Sequence, residues 1–569
     1  MKLSFRDLKK RVPIATWLPQ YPRSLLRPDI IAGLTVWGVV VPSAMADAGL
    51  AGMPPQAGLY AAFAGLIMYA IFSTSKHVKV CNSSTVAVMS AAVVAGLNPG
   101  GDLSRYIALS AMMALLVGAI ILVVGSAKLG FISEFISKPV ITGFLFGVGL
   151  EIIMRQAPKL FGIPGGSGNV FERLAQLIKG LGETNFWALG VGLMALLLIF
   201  SLRRYFPRVP AGLVALVIGI LVSSAFKLDQ QGVSVVGSIP IGLPSLTIPT
   251  VSRSDLALLM SEAGGLVFLT IGETIGLARG FAARHNYDID PDQDLIALGL
   301  ANLSAGIFQG FTIGAGHSPT LTGDEAGAQT QLSSIFSAIL VIATLAFLSP
   351  FFKTLPNAVL AAVVISAVSR LLDVKALKEF YQDFRKDFLV SIIALLGVIS
   401  IDLVPGLLLA VFLSIVMVVY IASRPHLAVL GIDPSHPNNY CDSAYHPEAK
   451  PIPGLLIVRF DAPLFFANAN ITRSQVRKAV STTSPPPRAV LLDISSSAGL
   501  DFTSLDTLKN LFSELETAGI EVLLAEVHST VLAKLKHAGL IDQIGEGHVF
   551  LSVDSGVQDF LSRHPTLGG

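Results

Sequence analysis

The chain runs to 569 residues, 52% of them hydrophobic and only 14% charged, with a mean hydropathy of +0.68. An ordinary soluble protein carries roughly 25% charged residues, so a soluble globule is excluded and the chain is read as bilayer-embedded. A formal net charge of +2 argues neither for nor against an acidic partner, no nucleic-acid partner is expected, and two cysteines, Cys81 and Cys441, give neither a disulfide framework nor a metal cluster.

In chain order, residues 1–29 hold Lys9, Lys10, Arg11, Arg23 and Arg27 without an apolar core. This reads as a basic cytoplasmic leader, not a signal peptide. A spanning helix needs about 20 mostly apolar residues. Such stretches are predicted at 30–48, 57–73, 105–126, 138–156, 185–202, 210–226, 258–280, 295–311, 330–349, 356–371, 386–401 and 403–422. Two further apolar stretches, 84–96 and 317–324, are too short to span.

If both short stretches count as crossings, one set of loops holds most of the basic residues: Lys76, Lys79, Lys128, Lys138, Arg203, Arg204, Arg208, Arg279, Arg284, Arg385, Lys386 and Arg424. The opposite loops, 157–184 and 227–257, are long and sparsely basic. The basic side is the inside, so both termini are expected in the cytoplasm, with the chain in a cell inner or plasma membrane. The short stretches fall at matching places in repeats 30–226 and 258–422, which suggests an inverted repeat with a midplane site. Each follows an extended polar run, Lys79 to Ser84 in one half and Thr312 to Ser318 in the other.

After Arg424 a Pro-, His- and Asn-rich linker is expected at 425–452, then a soluble α/β domain at 453–569. Its strands are read at 455–460, 489–494 and 521–525, with an amphipathic helix over 505–518.

Arg27-Pro28-Asp29-Ile30-Ile31-Ala32-Gly33-Leu34-Thr35, with Pro42 and Leu50-Ala51-Gly52-Met53-Pro54-Pro55-Gln56-Ala57-Gly58-Leu59-Tyr60, resembles the sulfate permease family of anion transporters. The stretch from Ile289-Asp290 through Gln293-Asp294 to Ala301-Asn302-Leu303 is similar to its second signature, and Ala326 to Thr330 to a third. Phe465 to Ala469 and Asp493 to Thr503 resemble the STAS domain these transporters carry. The resemblance implies an α-helical membrane protein of fourteen segments as a 7+7 inverted repeat with core and gate domains. It further implies a cytoplasmic STAS domain and a homodimer. Family substrates include sulfate, bicarbonate, chloride and dicarboxylates. The sequence departs from the family at Pro42-Ser43 and Asp47, at Cys81-Asn82 in place of Gly-Pro, and at Pro319 in place of an Arg.

Helix N-termini present unpaired N–H groups and about half a positive charge. Two of them facing each other bind a small anion without Lys or Arg. The candidate substrate-binding residues are therefore Ser43, Asn82, Ser83, Ser84, Thr85, Gly316, His317, Ser318 and Thr320, with His317 a neutral hydrogen-bond donor. Glu273 and Asp47 are expected to couple transport to an ion, because acids inside a membrane are costly and tend to be functional. Glu151 and Arg155 are read as a structural i,i+4 pair. Phe502 stands where STAS relatives carry a phosphorylated serine, leaving Thr503 and Ser504 as candidates.

The reading is a secondary active transporter of a small inorganic or carboxylate anion, with a proton (or sodium) as coupling ion and membrane lipid around it. No enzyme activity, cofactor or metal is expected. The alternatives are an anion-binding sensor or scaffold signalling through the STAS domain, and an uncoupled channel.

Overall fold

The computed structural model describes residues 12–97, 102–130, 138–166, 168–206, 209–237, 242, 245–400 and 403–565. Lys9, Lys10, Arg11 and Arg208, part of the predicted basic pattern, lie outside them. The chain divides into two units, Met1–Ser414 and Ile415–Gly569.

The first half of the helical region has α1 (Leu26–Leu50), α2 (Pro55–Phe72), strand β1 (Val80–Cys81), α3 (Ser84–Gly96), α4 (Leu103–Ser126), α5 (Lys138–Phe161), α6 (Val170–Gly180), α7 (Phe186–Tyr205) and α8 (Ala211–Phe226). The second half repeats that order. It has α9 (Arg253–Arg284), α10 (Pro291–Ile307), β2 (Gly314–Ala315), α11 (His317–Glu325), α12 (Leu332–Ala343), α13 (Asn357–Val368), α14 (Val374–Asp383), α15 (Arg385–Ser400) and α16 (Leu403–Ala422). Setting α6 and α14 aside leaves seven segments in each half, with the short helices α3 and α11 third in both. Among the described residues, seven helices are long and apolar enough to cross a membrane by themselves.

Helix ends follow their caps rather than the apolar stretches. The span expected at 295–311 starts earlier, because the Asp290 side chain accepts from the Asp292 and Gln293 N–H groups and Pro291 opens α10. Ser252 caps α9 in the same way, accepting from Asp255 N–H, so the span expected at 258–280 extends to 32 residues. Helices α6 and α14 were not expected. Each is amphipathic and sits between the fifth and sixth segments of its half.

Helices α1 to α4 pack with α9 to α12 as the core, and α5, α7, α13 and α15 pack together as the gate. The most extensive seam is α4 against α10. A Cβ on Gly118 would lie 2.7 Å from Leu303 N, and one on Gly299 would lie 2.8 Å from Gly118 O. Gly125 and Gly306, seven residues further along each helix, meet the partner backbone as closely, at 2.8 Å from Asp292 O and 2.7 Å from Ala111 O. Small residues let membrane helices gain dispersion contact that lipid cannot supply.

The second unit carries a six-stranded sheet in the order β4-β3-β5-β6-β7-β8. The strands are β3 (Leu427–Asp433), β4 (His436–Asp442), β5 (Leu455–Phe460), β6 (Ala489–Asp493), β7 (Glu521–Ala525) and β8 (Val549–Phe550). Strands β5 to β8 run parallel, whereas β3 is antiparallel to both β4 and β5. Helices α17 (Ala469–Thr482), α18 (Phe502–Thr517), α19 (Ser529–His537), α20 (Leu540–Ile544) and α21 (Val553–Arg563) complete it, and separate apolar clusters fill the two faces.

The linker expected at 425–452 is therefore corrected. Most of it folds as the β3–β4 hairpin, with Leu427 to Leu430 paired to Phe460 to Ile457. Ala428 and Leu430 are buried, and Tyr440 Oη donates to Asp554 Oδ1 of α21 at 2.9 Å. The prolines that suggested a linker lie beyond β3, in the hairpin turn, β4 and the return to β5. A fragment of residues 425–569 is expected to unfold cooperatively on heating. One starting at 453 uncovers the edge of β5 and should be at least about 3 kcal/mol less stable, the order of two buried aliphatic side chains. Equal melting of the two fragments would contradict this assignment.

Candidate functional site

The site is built where the chain stops being helical inside the bundle. Strands β1 and β2 pair antiparallel, Val80 opposite Ala315 and Cys81 opposite Gly314. Irregular backbone at membrane depth persists only where protein satisfies it, and here the two interrupted segments satisfy each other. Each strand then runs directly into a short helix, so the N-termini of α3 and α11 are held together.

Neither terminus is closed by a side chain. Ser83 precedes α3 and Gly316 precedes α11, and neither makes a side-chain cap bond. The first helical acceptor in α3 is taken by Ala87 N–H (to Ser83 O, 2.9 Å) and in α11 by Thr320 N–H (to Gly316 O, 2.9 Å). The N–H groups of Ser84, Thr85, Val86, His317 and Ser318 precede those bonds and have no intrahelical partner. Pro319, in the first turn of α11, has none to give.

The hydroxyls that could have capped α3 turn to carboxylates instead. Ser83 Oγ donates to Glu273 Oε1 and Oε2 at 2.9 and 3.0 Å, and Thr85 Oγ1 to Oε1 at 3.2 Å. From α11, His317 Nδ1 lies 3.0 Å from the same Oε1. Ser84 Oγ donates to Asp47 Oδ1 at 2.6 Å. The Glu273 carboxylate on α9 is thus gripped by side chains from both short helices, at the place where their dipoles favour negative charge.

A cavity of about 180 Å³ opens beside this cluster. Ser43, Asp47, Asn82, Ser83, Ser84, Thr85, Glu273, Gly316, His317 and Ser318 line it, with Pro319 and, from the gate, Ala367, Val368 and Leu371. Asn82 is 5% exposed, and both its carboxamide oxygen and nitrogen are buried without a hydrogen-bond partner. Ser43 Oγ spends its proton on Val39 O at 2.8 Å, so it can only accept from a ligand. Thr320 does not line the cavity: it is fully buried, and its Oγ1 accepts from Lys79 N–H at 2.9 Å.

The surrounding residues explain the motifs. Asn302 Nδ2 donates to Ile313 O at 3.0 Å while its Oδ1 accepts from Ile313 N–H at 2.9 Å, clamping the approach to β2. Asp294 Oδ1 accepts from Thr74 N–H at 2.6 Å and Thr74 Oγ1 at 2.8 Å, and Gln331 Nε2 donates to Ser75 O and Val78 O, holding the approach to β1. Asp29 accepts from Gln329 N–H at 2.8 Å and Thr330 Oγ1 at 2.6 Å, fixing the turn after α11. Asn302, Asp294 and Asp29 fall within the stretches that resemble family signatures, and Gln331 directly follows the third.

Lys79 was expected in a solvent-facing loop and is instead fully buried, with Nζ donating to Ser333 Oγ at 2.7 Å. The local sequence reads as a polar loop, and only the pairing of β1 with β2 takes it inside. The Glu151–Arg155 pair forms as expected, at 2.8 Å, with Arg173 also 3.5 Å from Glu151. In the second unit Asp501 caps α18 by accepting from Ser504 N–H and Oγ, while Phe502 is exposed.

Comparison with known proteins agrees along the whole chain. Residues 26–394 match the description of the sulfate permease family, and residues 446–556 match the STAS domain. A protein of Mycobacterium tuberculosis named as a probable sulfate transporter is 34% identical over 96% of this chain and 99% of its own. Sulfate transporter 1.1 of Arabidopsis thaliana is 29% identical over 96% of this chain and 87% of its own. In fold, the murine Solute Carrier 26 family member A9 anion transporter superposes with a TM-score of 0.88 at 24% identity, over 98% of this chain and 95% of that one. The transmembrane domain of a cyanobacterial bicarbonate transporter superposes with a TM-score of 0.60 at 22% identity, over 70% of this chain and 98% of that one.

Asn302 is the least replaceable of the positioning residues, because nothing else joins both backbone groups of Ile313 to α10. Asn302→Leu should lower stability in detergent by about 3 kcal/mol, the order of two buried polar groups left unpaired, and should abolish anion binding. Unfolding by heat or denaturant measures the first effect and calorimetric titration the second. Wild-type values for both would contradict the positioning role.

Proposed function

The chain belongs to the sulfate permease family of anion transporters, and from that premise we propose that it is a secondary active transporter carrying a small oxyanion together with a proton. The observation that carries this reading is the placement of Glu273. Its carboxylate occupies the focus of two uncapped helix N-termini, where a transported anion would bind. Glu273 is therefore an internal competitor of the substrate.

The competition has a size. With an effective dielectric near 20, a second unit negative charge about 8 Å away costs on the order of 2 kcal/mol, roughly a thirtyfold loss of affinity. Asp47, on α1 and bonded to Ser84, acts in the same sense. A proton on one of the two carboxyls removes that repulsion and frees Ser83 and Thr85 to donate to the substrate instead. Anion and proton then bind as a pair, and His317, beside Glu273, is placed to share that proton. Asn82, with donor and acceptor both unspent, orients the oxyanion. A cavity of about 180 Å³ suits an anion of the sulfate or bicarbonate class better than a long dicarboxylate.

The transmembrane unit works by moving the core, which holds both short helices, against the gate, which supplies the apolar wall at Ala367, Val368 and Leu371. The basic loops and the even number of segments favour cytoplasmic N- and C-termini, with the STAS domain on that side.

Proteoliposome flux tests the reading. An inward proton gradient should drive accumulation of labelled sulfate or bicarbonate. Glu273→Gln should abolish the driven accumulation while the protein still melts within a few degrees of wild type. Asp47→Asn should weaken the pH dependence of binding, which in the wild type strengthens as pH falls from about 8 to about 5, through the range where a buried carboxyl gains its proton. No flux of either anion under any gradient would favour the sensor, and flux that only dissipates gradients would favour the channel. Driven uptake by Glu273→Gln equal to wild type would overturn the coupling role.

A further inference from the structure

A second cavity, of about 240 Å³, lies along the same core–gate seam as the first. Both are walled by α1 and by α13. On α1 the first cavity meets Ser43 and Asp47, whereas the second meets Met45 and Ala46 from another face of the helix, then Gly49, and Met53 beyond its end. On α13 the first begins at Ala367, and the second runs from Asn357 to Val364. Along α13, at 1.5 Å per residue, Ala367 of the first and Leu360 in the middle of the second are on the order of 10 Å apart. The second cavity is displaced toward the α1–α2 turn, the side opposite the loops that hold most of the basic residues.

Two side chains of α5 face it without a hydrogen-bond or ion-pair partner among the described residues. Gln156 is only 3% exposed, yet its carboxamide makes no hydrogen bond among the described residues and opens on the cavity. Three residues along, one helical step on the same face, Lys159 is half-buried and likewise makes no ion pair or side-chain hydrogen bond among the described residues. The nearby acid Glu151 is already taken by Arg155 and Arg173. Gly49 of α1 leaves the ammonium room: a Cβ built there would sit 3.7 Å from Lys159 Nζ. An uncompensated ammonium inside a membrane bundle is costly and calls for a partner.

We propose that this cavity is a second anion site, in which Lys159 and Gln156 receive the same small oxyanion on the α1–α2-turn side before it reaches, or after it leaves, the site at the short helices. The proposal rests on the transport reading above and adds to it a waiting position with its own cation. The central site has two carboxylates and no Lys or Arg among its described lining residues, so it offers an approaching anion no cationic side chain of fixed charge. The second cavity offers the opposite charge one step earlier. Binding there raises the local anion concentration at the seam that must open.

The test is a charge-selective thiol probe at Gly49→Cys, in the full chain with Cys441 replaced by Ser. Cys81 is buried. Methanethiosulfonate reagents bearing either a sulfonate or a trimethylammonium group are compared by rate. With Lys159 present the anionic reagent should be favoured, and Lys159→Gln should lower the anionic-to-cationic rate ratio about tenfold, the effect of one unit charge at close range. Lys159→Arg should keep the ratio, and Gln156→Leu should keep it while weakening protection by added sulfate. A ratio unchanged by Lys159→Gln overturns the proposal, and so does a cysteine that reacts with neither reagent. Because labelling needs no flux, a shifted ratio in a chain that transports nothing would overturn the transport reading and leave the second site standing.

Discussion

Backbone groups in the middle of a membrane have no water to bind, and this structure meets that constraint in an unusual place. Two stretches leave the helical state at membrane depth, and their N–H and C=O groups are satisfied by each other through β1 and β2 and by Asn302, Asp294 and Gln331. Everything at the site follows from that arrangement. Because the strands are paired, α3 and α11 start close together. Because the strands end at the helix starts, the first N–H groups of both helices are left over. The membrane domain thus makes a positive focus from peptide dipoles, with the nearby Lys79 spent on Ser333 rather than on the cavity.

That focus must be balanced when no substrate is present, and Glu273 balances it. The grip of Ser83, Thr85 and His317 on one carboxylate shows how well the termini hold negative charge. In the proposed function, that grip is what makes a proton the natural companion of the substrate. Asp47 reinforces this: it stands where the family reads differently, beside α3, and takes Ser84 as its partner. An acidic wall and an absent arginine, read separately, look like losses of anion affinity. Together, in the function proposed, they convert anion binding into anion-plus-proton binding. Lys159, further along the same seam, supplies the fixed cation that the central site lacks.

Much of this was legible in the sequence, for identifiable reasons. The short helix Ser84–Gly96 was predicted with the bounds it has, and His317–Glu325 to within one residue, since polar runs and apolar length mark them sharply. Ten of the eleven named residues line the cavity, Asp47 and Glu273 among them as the two carboxylates that face it. That count excludes Thr320, whose place depends on where the chain 241 residues earlier crosses it, and includes Ser43, whose hydroxyl proton is already spent. Lys79 was misplaced for the same reason as Thr320: burial by long-range strand pairing leaves no local trace. The β3–β4 hairpin was mistaken for a linker because its prolines and histidines outweighed the apolar run Leu427 to Leu430, a run too short to assert a strand unaided. Helices α6 and α14 were hidden by the opposite error, since amphipathic turns inside an expected loop carry too few apolar residues to register as spans.

The account's central claim is that the substrate anion and the Glu273 carboxylate compete for one focus, so that binding an anion takes up a proton. Calorimetric titration of the detergent-solubilised full chain with sulfate, repeated at one neutral pH in buffers of different ionisation enthalpy, measures that directly. The slope of the observed enthalpy against buffer enthalpy gives the protons taken up per anion bound. The account predicts a slope close to one proton in the wild type, falling toward zero in Glu273→Gln. Tight binding with a slope of zero in the wild type would contradict it.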